Sequence, residues 1–450
     1  MKKHSVLLKE EECEGCTNCV KNCPTKAIRV HQGKAKIKED LCIDCAECIR
    51  TCEYHAKYTE TNSMAEVRDS TYPVALIPPS FYGQFDQEIK PQEVVASLYE
   101  SGFKEVYDVA LAAEAISRKT GEFLRESKGQ FISSSCPVVV RLIKLLYPEL
   151  VEYLMPIKSP VELMAQKAKR ELTEEKGIPL EEIDIFLITP CPGKLTTVKN
   201  PLGQEKSFLD GAVAVDIIYD EILNIVEDKD YKITKKINES TVPYLGISWG
   251  QRGGEAEILR KWKERNTISI SGISNVKNVL EELTRDNLRG IKYFELVACP
   301  EGCVGGVLNI NNPYQAKYNI KNLVGEDHEN PKDISEKKLI KQDFSRYDYK
   351  LNEKFKADDV GKLDDDLEKA VEKLAELEKE IDILPGLDCA ACGAPDCETL
   401  AEDIVTGDAK RTDCLFMLRK RVGDLADEMS NLAHELPPVM SDEKEVDDES

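Results

Sequence analysis

Sixteen of the 450 residues are cysteines and only five are histidines. Two runs lie near the start, Cys13, Cys16, Cys19 and Cys23, then Cys42, Cys45, Cys48 and Cys52. A third set, Cys389, Cys392, Cys397 and Cys414, lies near the end. Cys136, Cys191, Cys299 and Cys303 are dispersed between them. Thiols at two- and three-residue intervals are the mark of metal ligation rather than of a disulfide framework. The opening MKKHSVLLKEEECEG is too charged for a secretory signal, and no apolar run approaches the ~20 residues that span a bilayer. A cytoplasmic protein is expected, where thiols stay reduced. An all-thiolate donor set then favours iron–sulfur clusters or zinc.

Spacing separates the two metals. Cys13-x-x-Cys16-x-x-Cys19-x-x-x-Cys23-Pro24, repeated as Cys42-x-x-Cys45-x-x-Cys48-x-x-x-Cys52, is the pattern of a two-cluster bacterial-type ferredoxin. There the fourth cysteine of each run ligates the other cluster. One [4Fe–4S] cluster is therefore assigned to Cys13, Cys16, Cys19 and Cys52, and a second to Cys42, Cys45, Cys48 and Cys23. The second run has Glu53 where the first has proline. At the other end, four thiolates in Cys389-x-x-Cys392-Gly393-x-x-x-Cys397 with Cys414 suit zinc as well as iron. That segment resembles the small [4Fe–4S] module of electron-transfer and corrinoid iron–sulfur proteins, which implies a further cluster.

Each dispersed cysteine alone would read as a small buried hydrophobe. Their surroundings say otherwise: Ser133-Ser134-Ser135-Cys136-Pro137, Thr189-Pro190-Cys191-Pro192-Gly193-Lys194, and Ala298-Cys299-Pro300-Glu301-Gly302-Cys303-Val304-Gly305-Gly306. These three segments, in this order, resemble the signature loops of the iron-only ([FeFe]) hydrogenase catalytic domain. The likeness runs over about 72–312. It takes in Ile77-Pro78-Pro79-Ser80, Tyr147-Pro148-Glu149-Leu150, Lys158-Ser159-Pro160 and Trp249-Gly250-Gln251-Arg252-Gly253-Gly254.

The resemblance implies an H-cluster. Cys136, Cys191, Cys299 and Cys303 would hold a [4Fe–4S] cluster, with Cys303 bridging to a di-iron subsite that carries carbon monoxide, cyanide and an azadithiolate. Lys194 would hydrogen-bond one cyanide, and the Pro78–Pro79–Ser80 turn would contact the other through the backbone and hydroxyl donors of the turn; a cation beside an anionic ligand strengthens the hydrogen bond. Three additional [4Fe–4S] clusters complete the set. The departures matter too. Ser135 stands where catalytic members carry a proton-relaying cysteine, and Arg118-Lys119 stand where an acidic pair feeds that relay. A thiol titrates near ~8.5 and a serine hydroxyl far higher, so relay is expected to be slow. Thr189 and Val297 replace methionines, and Gly305-Gly306-Val307-Leu308-Asn309 departs from the family's third loop. Intact ligands with a weakened proton path resemble the sensory (group D-like) branch. The expected function is reversible binding and heterolytic cleavage of H₂ at low turnover, with electrons leaving through the clusters to a signalling or redox partner such as ferredoxin. A catalytic ferredoxin-linked hydrogenase and a non-catalytic iron–sulfur assembly factor are the competing readings. Maturation factors would load the di-iron subsite.

Positioning these residues requires an α/β domain. Val74–Pro79, Gln130–Pro137, Ile185–Cys191, Val242–Trp249 and Ile291–Pro300 read as buried strands. Around Pro91–Ser101, Val138–Tyr153, Ser159–Lys176, Ala212–Ile225, Gly254–Arg265 and Asn275–Leu288 the pattern is helical. Such alternation predicts mainly parallel twisted sheets flanked by helices, in two lobes. The expected order is a ferredoxin-like α+β domain at 1–60, the hydrogenase-type domain at 61–350, a heptad helix at 351–385, a helical iron–sulfur module at 386–436 and an acidic, disordered tail at 437–450. Val360, Leu363, Leu367, Ala370, Leu374, Leu377, Ile381 and Leu384 form one heptad seam. Leu415, Leu418, Val422, Leu425, Met429, Leu432 and Leu436 form another, so a homodimer through these helices is possible. His31, His55, Trp249 and Trp262 read as surface or packing residues. A net charge of −22 argues against nucleic acid or an anionic membrane as partner.

Overall fold

The structure, a computed structural model, describes residues 4–228, 237, 242–262, 264, 266–325, 344–359, 363–364 and 366–434. The acidic tail, Leu436 and Val360 lie outside the described residues. The chain forms two compact units, residues 1–14, 22–27 and 37–360, and residues 15–21, 28–36 and 361–450. Eleven strands lie among the described residues: β1 (Val6–Leu8), β2 (Ile28–His31), β3 (Lys34–Ile37), β4 (Lys57–Thr59), β5 (Tyr72–Ile77), β6 (Glu105–Asp108), β7 (Phe131–Ile132), β8 (Ile183–Thr189), β9 (Gly211–Ala214), β10 (Thr267–Ser271) and β11 (Tyr293–Val297).

In the first unit β1 and β4 pair antiparallel, closing the ferredoxin segment on itself. The rest is built on two parallel sheets, one ordered β6-β5-β8-β9 and one ordered β10-β11-β7. β5 and β8 are central and buried along almost their whole length. That is why both read as continuous apolar runs rather than alternating ones. One apolar cluster holds Val74, Leu76, Ile185 and Leu187; another holds Ala75, Ile77, Phe186 and Ile188. Adjacent residues of a strand face opposite sides, so both faces of this sheet are covered. A third core, with Phe294, Leu296 and Ile132, packs on the other sheet.

Five helices matter for the site: α1 (Val109–Glu126), α2 (Pro137–Leu146), α3 (Pro160–Glu174), α4 (Pro192–Lys199) and α5 (Gly254–Lys261). α2, α3 and α4 each start on proline, whose fixed φ and missing N–H suit the first helical position. Cys136 and Cys191 are consequently the residues at the turn from strand segment to helix.

Several expected elements differ. Val242–Trp249 is not a strand: Tyr244–Ile247 is an α-helical turn and Ser248–Gly250 a 3₁₀ turn. A short apolar run cannot tell buried strand from buried helix, and here the Glu114 carboxylate on α1 accepts the Gly246 N–H at 2.9 Å, providing a buried partner for the turn. Of Gln130–Pro137 only Phe131–Ile132 pairs in the sheet. Ala212–Ala214 belongs to β9 and the helix begins at Val215. The expectation also lacks α1, α4, β6 and β10.

In the second unit β2 and β3 form a hairpin turned by Gln32 and Gly33, both at positive φ (50° and 74°), as a two-residue type I′ turn requires. Three helices follow: α6 (Leu367–Ile383), α7 (Cys397–Val405) and α8 (Leu415–His434). α6 starts later than the heptad seam suggests. Asp366 caps it, its carboxylate accepting the Glu368 N–H at 2.9 Å and the Lys369 N–H at 3.3 Å. Leu377 of α6 and Leu384 just beyond it pack with Leu400 and Ala401 of α7. α8 buries no residue, leaving its apolar seam exposed.

Candidate metal centre

Four segments leave the carboxyl ends of four parallel strands in the first unit and line one cavity. Pro78, Pro79 and Ser80 follow β5, and Ser133 to Cys136 follow β7. Pro190 and Cys191 follow β8, and Cys299, Gly302 and Cys303 follow β11. Parallel α/β sheets gather their chemistry at these ends, and here two sheets contribute. The third loop approaches the second so closely that a side chain at Gly306 would place its Cβ 2.2 Å from the Pro190 carbonyl oxygen. The Leu308 N–H donates to that same oxygen at 3.1 Å.

The four cysteines are free thiols in electrostatic contact with one another. Burial pushes Cys136 and Cys299 upward and Cys191 to about 11, and their mutual repulsion adds to this. Four thiols so placed become thiolates together only when a cation joins them. Lys194 supplies part of that charge. Its Nζ donates to Cys303 Sγ at 3.3 Å. Burial pulls its ammonium down, but Cys303 and Cys191 outweigh burial and hold it above the ordinary lysine range. Ser80 is fully buried and its Oγ has no hydrogen-bond partner in the structure. The Gln204 carboxamide, on the same cavity, is equally unpartnered at both atoms. Orphaned donors beside a soft thiolate set fit an anionic iron–sulfur group with polar ligands of its own.

Ser135 belongs to a hydrogen-bonded chain invisible in the sequence. The Ser133 hydroxyl lies 3.2 Å from Ser135 Oγ and 2.8 Å from Glu255 Oε2. Tyr293 donates to the other oxygen of Glu255. Glu255 opens α5 and is buried; burial, with Glu295 nearby, raises it to about 8 against the opposing hydrogen bonds from Tyr293 and Ser133. Glu295 sits mid-strand on β11 and accepts the Gly253 and Ala256 N–H groups, both at 2.8 Å. Burial raises it too, while those amides lower it. A glutamate within Tyr293-Phe294-Glu295-Leu296-Val297 was the one available signal, since acids are rarely buried unpartnered. Arg118 and Lys119 lie on α1, where Lys119 pairs with Glu122. Trp249 lines the cavity and donates its indole N–H to Ser117 Oγ at 2.9 Å.

The second ferredoxin ligand set also assembles within the first unit. Burial raises Cys42 and Cys45, and each is pushed further by Cys23 and Cys48. The Ala27 N–H donates to Cys23 Sγ at 3.2 Å. His4, Cys42 and Asp44 bring ligand atoms within 4.8 Å of one another, and His4 Nδ1 is buried without a partner. Because Cys42 belongs to the ferredoxin run, this is that cluster's surroundings rather than a separate ion site. The run docks directly behind the cavity. Thr196, on α4 beyond Cys191, donates to Asp44 Oδ2 at 2.7 Å, and Arg50 donates to the Gly305 carbonyl at 3.0 Å. In the second unit Cys392 is in electrostatic contact with Cys414 and Cys389, and Cys397 packs in the same small core.

Residues 71–257 and 251–307 match the family described as iron only hydrogenase large subunit, C-terminal domain. Residues 5–53 match a 4Fe-4S dicluster domain, and 384–416 match an Fe-S cluster family. Iron hydrogenase 1 of Clostridium pasteurianum is 22% identical over 288 residues, covering 54% of this chain and 46% of that protein. The NADP-reducing hydrogenase subunit HndD of Solidesulfovibrio fructosivorans is 22% identical over 264 residues, 48% of this chain and 44% of that one. The chain thus spans less than half the length of these relatives. Among solved structures, [FeFe]-hydrogenase HydA1 from Chlamydomonas reinhardtii aligns at 17% identity with a TM-score of 0.45, covering 65% of this chain and 94% of that chain. With its family match reaching across more than half of its residues, the chain belongs to the iron-only hydrogenase family.

Proposed function

We propose that the protein binds H₂ reversibly and cleaves it heterolytically, H₂ ⇌ 2H⁺ + 2e⁻, at low turnover. The observation that supports this most is the convergence of Cys136, Cys191, Cys299 and Cys303 on one cavity with Lys194 on Cys303 and an orphaned Ser80 hydroxyl. In this reading Cys136, Cys191, Cys299 and Cys303 would hold an H-cluster, and Lys194 with the Pro79–Ser80 turn would position its diatomic ligands. When bound, that group supplies the polarisation of the H–H bond and the electron sink. Infrared spectra of protein matured with its di-iron subsite test the reading: carbon monoxide and cyanide bands are expected, and only cubane clusters without such bands would overturn it.

The chain's own residues do the rest. Lys194 keeps its charge beside the thiolates. Ser135 and Ser133 pass a proton between the cavity and Glu255, which titrates in the range useful for general acid–base work. A serine hydroxyl is a poorer relay than a thiol, which supports slow turnover and a sensory role over fast hydrogen metabolism. Cys23, Cys42, Cys45 and Cys48, whose run abuts the cavity loops, would hold the cluster that takes electrons from the site, and Cys13, Cys16, Cys19 and Cys52 would hold the next. Cys389, Cys392, Cys397 and Cys414 hold a third accessory [4Fe–4S] cluster. A ferredoxin or signalling protein receives the output in the cytoplasm, and two copies of the chain associate through their exposed heptad helices. No described helix is long and apolar enough to cross a membrane.

A further inference from the structure

The second unit joins two segments far apart in the chain, the hairpin β2–β3 with residues 15–21, and everything from 361 onward. Two contacts among the described residues lie at that junction. The Val30 N–H of β2 donates to the Gly393 carbonyl at 2.9 Å. Beside it, the Arg29 guanidinium grips both carboxylate oxygens of Asp403 on α7, with each side chain only 4% exposed.

Both contacts sit next to cluster cysteines. Gly393 directly follows Cys392, and Asp403 is on the helix that Cys397 begins. Gly393 has φ +87°, and a Cβ there would lie 2.0 Å from the Val30 carbonyl oxygen, so only glycine allows this approach. A buried ion pair is a costly way to gain stability, since desolvation consumes most of its attraction, but it fixes one docking register. The same unit carries Cys16 and Cys19, ligands of a ferredoxin cluster. The module is also held rigid around its own cysteines: Arg411 pairs with the buried Glu380 of α6, and the Asp388 carboxylate accepts the Cys397 N–H at 2.8 Å.

We infer that the C-terminal iron–sulfur module is docked on the ferredoxin hairpin as a fixed electron relay, exchanging single electrons with the ferredoxin cluster that Cys16 and Cys19 help to hold. In each exchange one cluster loses an electron and returns to its oxidised level as the other gains it, and no proton or bond changes hands. The contact residues serve as positioning residues. This rests on the assignment of a [4Fe–4S] cluster to Cys389, Cys392, Cys397 and Cys414, but not on any chemistry with hydrogen.

The test uses the full chain with reconstituted [4Fe–4S] clusters and no di-iron subsite, reduced with dithionite, and electron paramagnetic resonance. A full chain with Cys392→Ser and Cys397→Ser isolates the module's signal by difference. In the wild type that difference is expected to be broadened and split by coupling to a reduced neighbour. Gly393→Ala, which forces the module off β2, is expected to turn it into an isolated-cluster spectrum. Arg29→Met with Asp403→Leu removes the ion pair without leaving a lone buried charge and keeps the coupled signal only if Gly393 alone sets the approach; loss of coupling there assigns the register to the pair, and either result supports docking. An isolated-cluster difference in the wild type, unchanged by Gly393→Ala, would overturn the relay. Zinc in place of iron at the module would overturn it by removing the cluster. Neither result touches the infrared bands that test the hydrogen site.

Discussion

Glu255 carries a proton at neutral pH because its carboxyl is raised to about 8 by burial and by Glu295. It can therefore donate toward Ser133 and Ser135 below that pH and accept only above it. H₂ evolution by matured protein is expected to fall, and H₂ oxidation to rise, as pH climbs through about 8. Glu255→Gln should slow both directions by about 10²-fold or more and abolish this inflection; a profile that keeps its inflection would assign it elsewhere, with Glu295 and Tyr293 the other titratable groups against that carboxylate. Ser135→Cys makes the opposite change, placing a more acidic donor at the cavity, and is expected to raise H₂ evolution about tenfold or more. An unchanged rate would mean that Ser135 does not limit turnover. The clustered cysteines stand out in the sequence by spacing, while the four dispersed cysteines and Lys194 are marked only by the likeness of their loops to those of the family. Glu255 and Glu295 could not be read from the sequence, because what makes them unusual is burial, and burial belongs to the packed protein.

Elements were legible where period or punctuation was unambiguous. β5 and β8 are unbroken apolar runs, and Cys136–Pro137 and Ser159–Pro160 mark the starts of α2 and α3, whereas the start of α4 reads only as a proline–glycine turn. Residues 242–249 were not legible, because Leu245 and Ile247 are buried in a helical turn, with Val242 buried just before it, and that apolar content equals a strand's. Close backbone approaches hold the third loop alongside the Asn309 and Arg50 side chains, and Gly306 shows the consequence of such an approach. Its replacement by alanine would push the third loop off Pro190 and separate Cys303 from Cys191. Gly306→Ala is expected to lose the carbon monoxide and cyanide bands while leaving the ferredoxin clusters' paramagnetic signals intact. Retention of the bands at wild-type intensity would show that the loop yields without cost to the site.

At the scale of the molecule, the large apolar cores all belong to the two-sheet domain, whereas the cysteine-dense segments bury little and depend on their metals. Removing iron with a chelator is expected to open residues 1–58 and 386–414 to protease while the parallel sheets survive, as read by fragment mass; simultaneous loss of all segments would mean the domain too is folded by its clusters. The proposed association of two copies rests on the exposed seam of α8. Leu418, Val422, Leu425, Met429 and Leu432 are all exposed along it, an apolar stripe about 20 Å long at ~1.5 Å per residue. The charges flanking that stripe are arranged against the helix dipole: Arg419, Lys420 and Arg421 in the first half, Asp424, Asp427 and Glu428 in the second. Such an order does not help the helix that carries it. It complements a second copy laid antiparallel, where each basic half meets an acidic half and the two apolar stripes cover one another. Sedimentation equilibrium is expected to show a dimer that weakens as salt screens the flanking charges. Leu418→Glu with Leu425→Glu should yield a monomer of unchanged iron content, and a wild type that stays monomeric at micromolar concentration would leave the seam to a different protein.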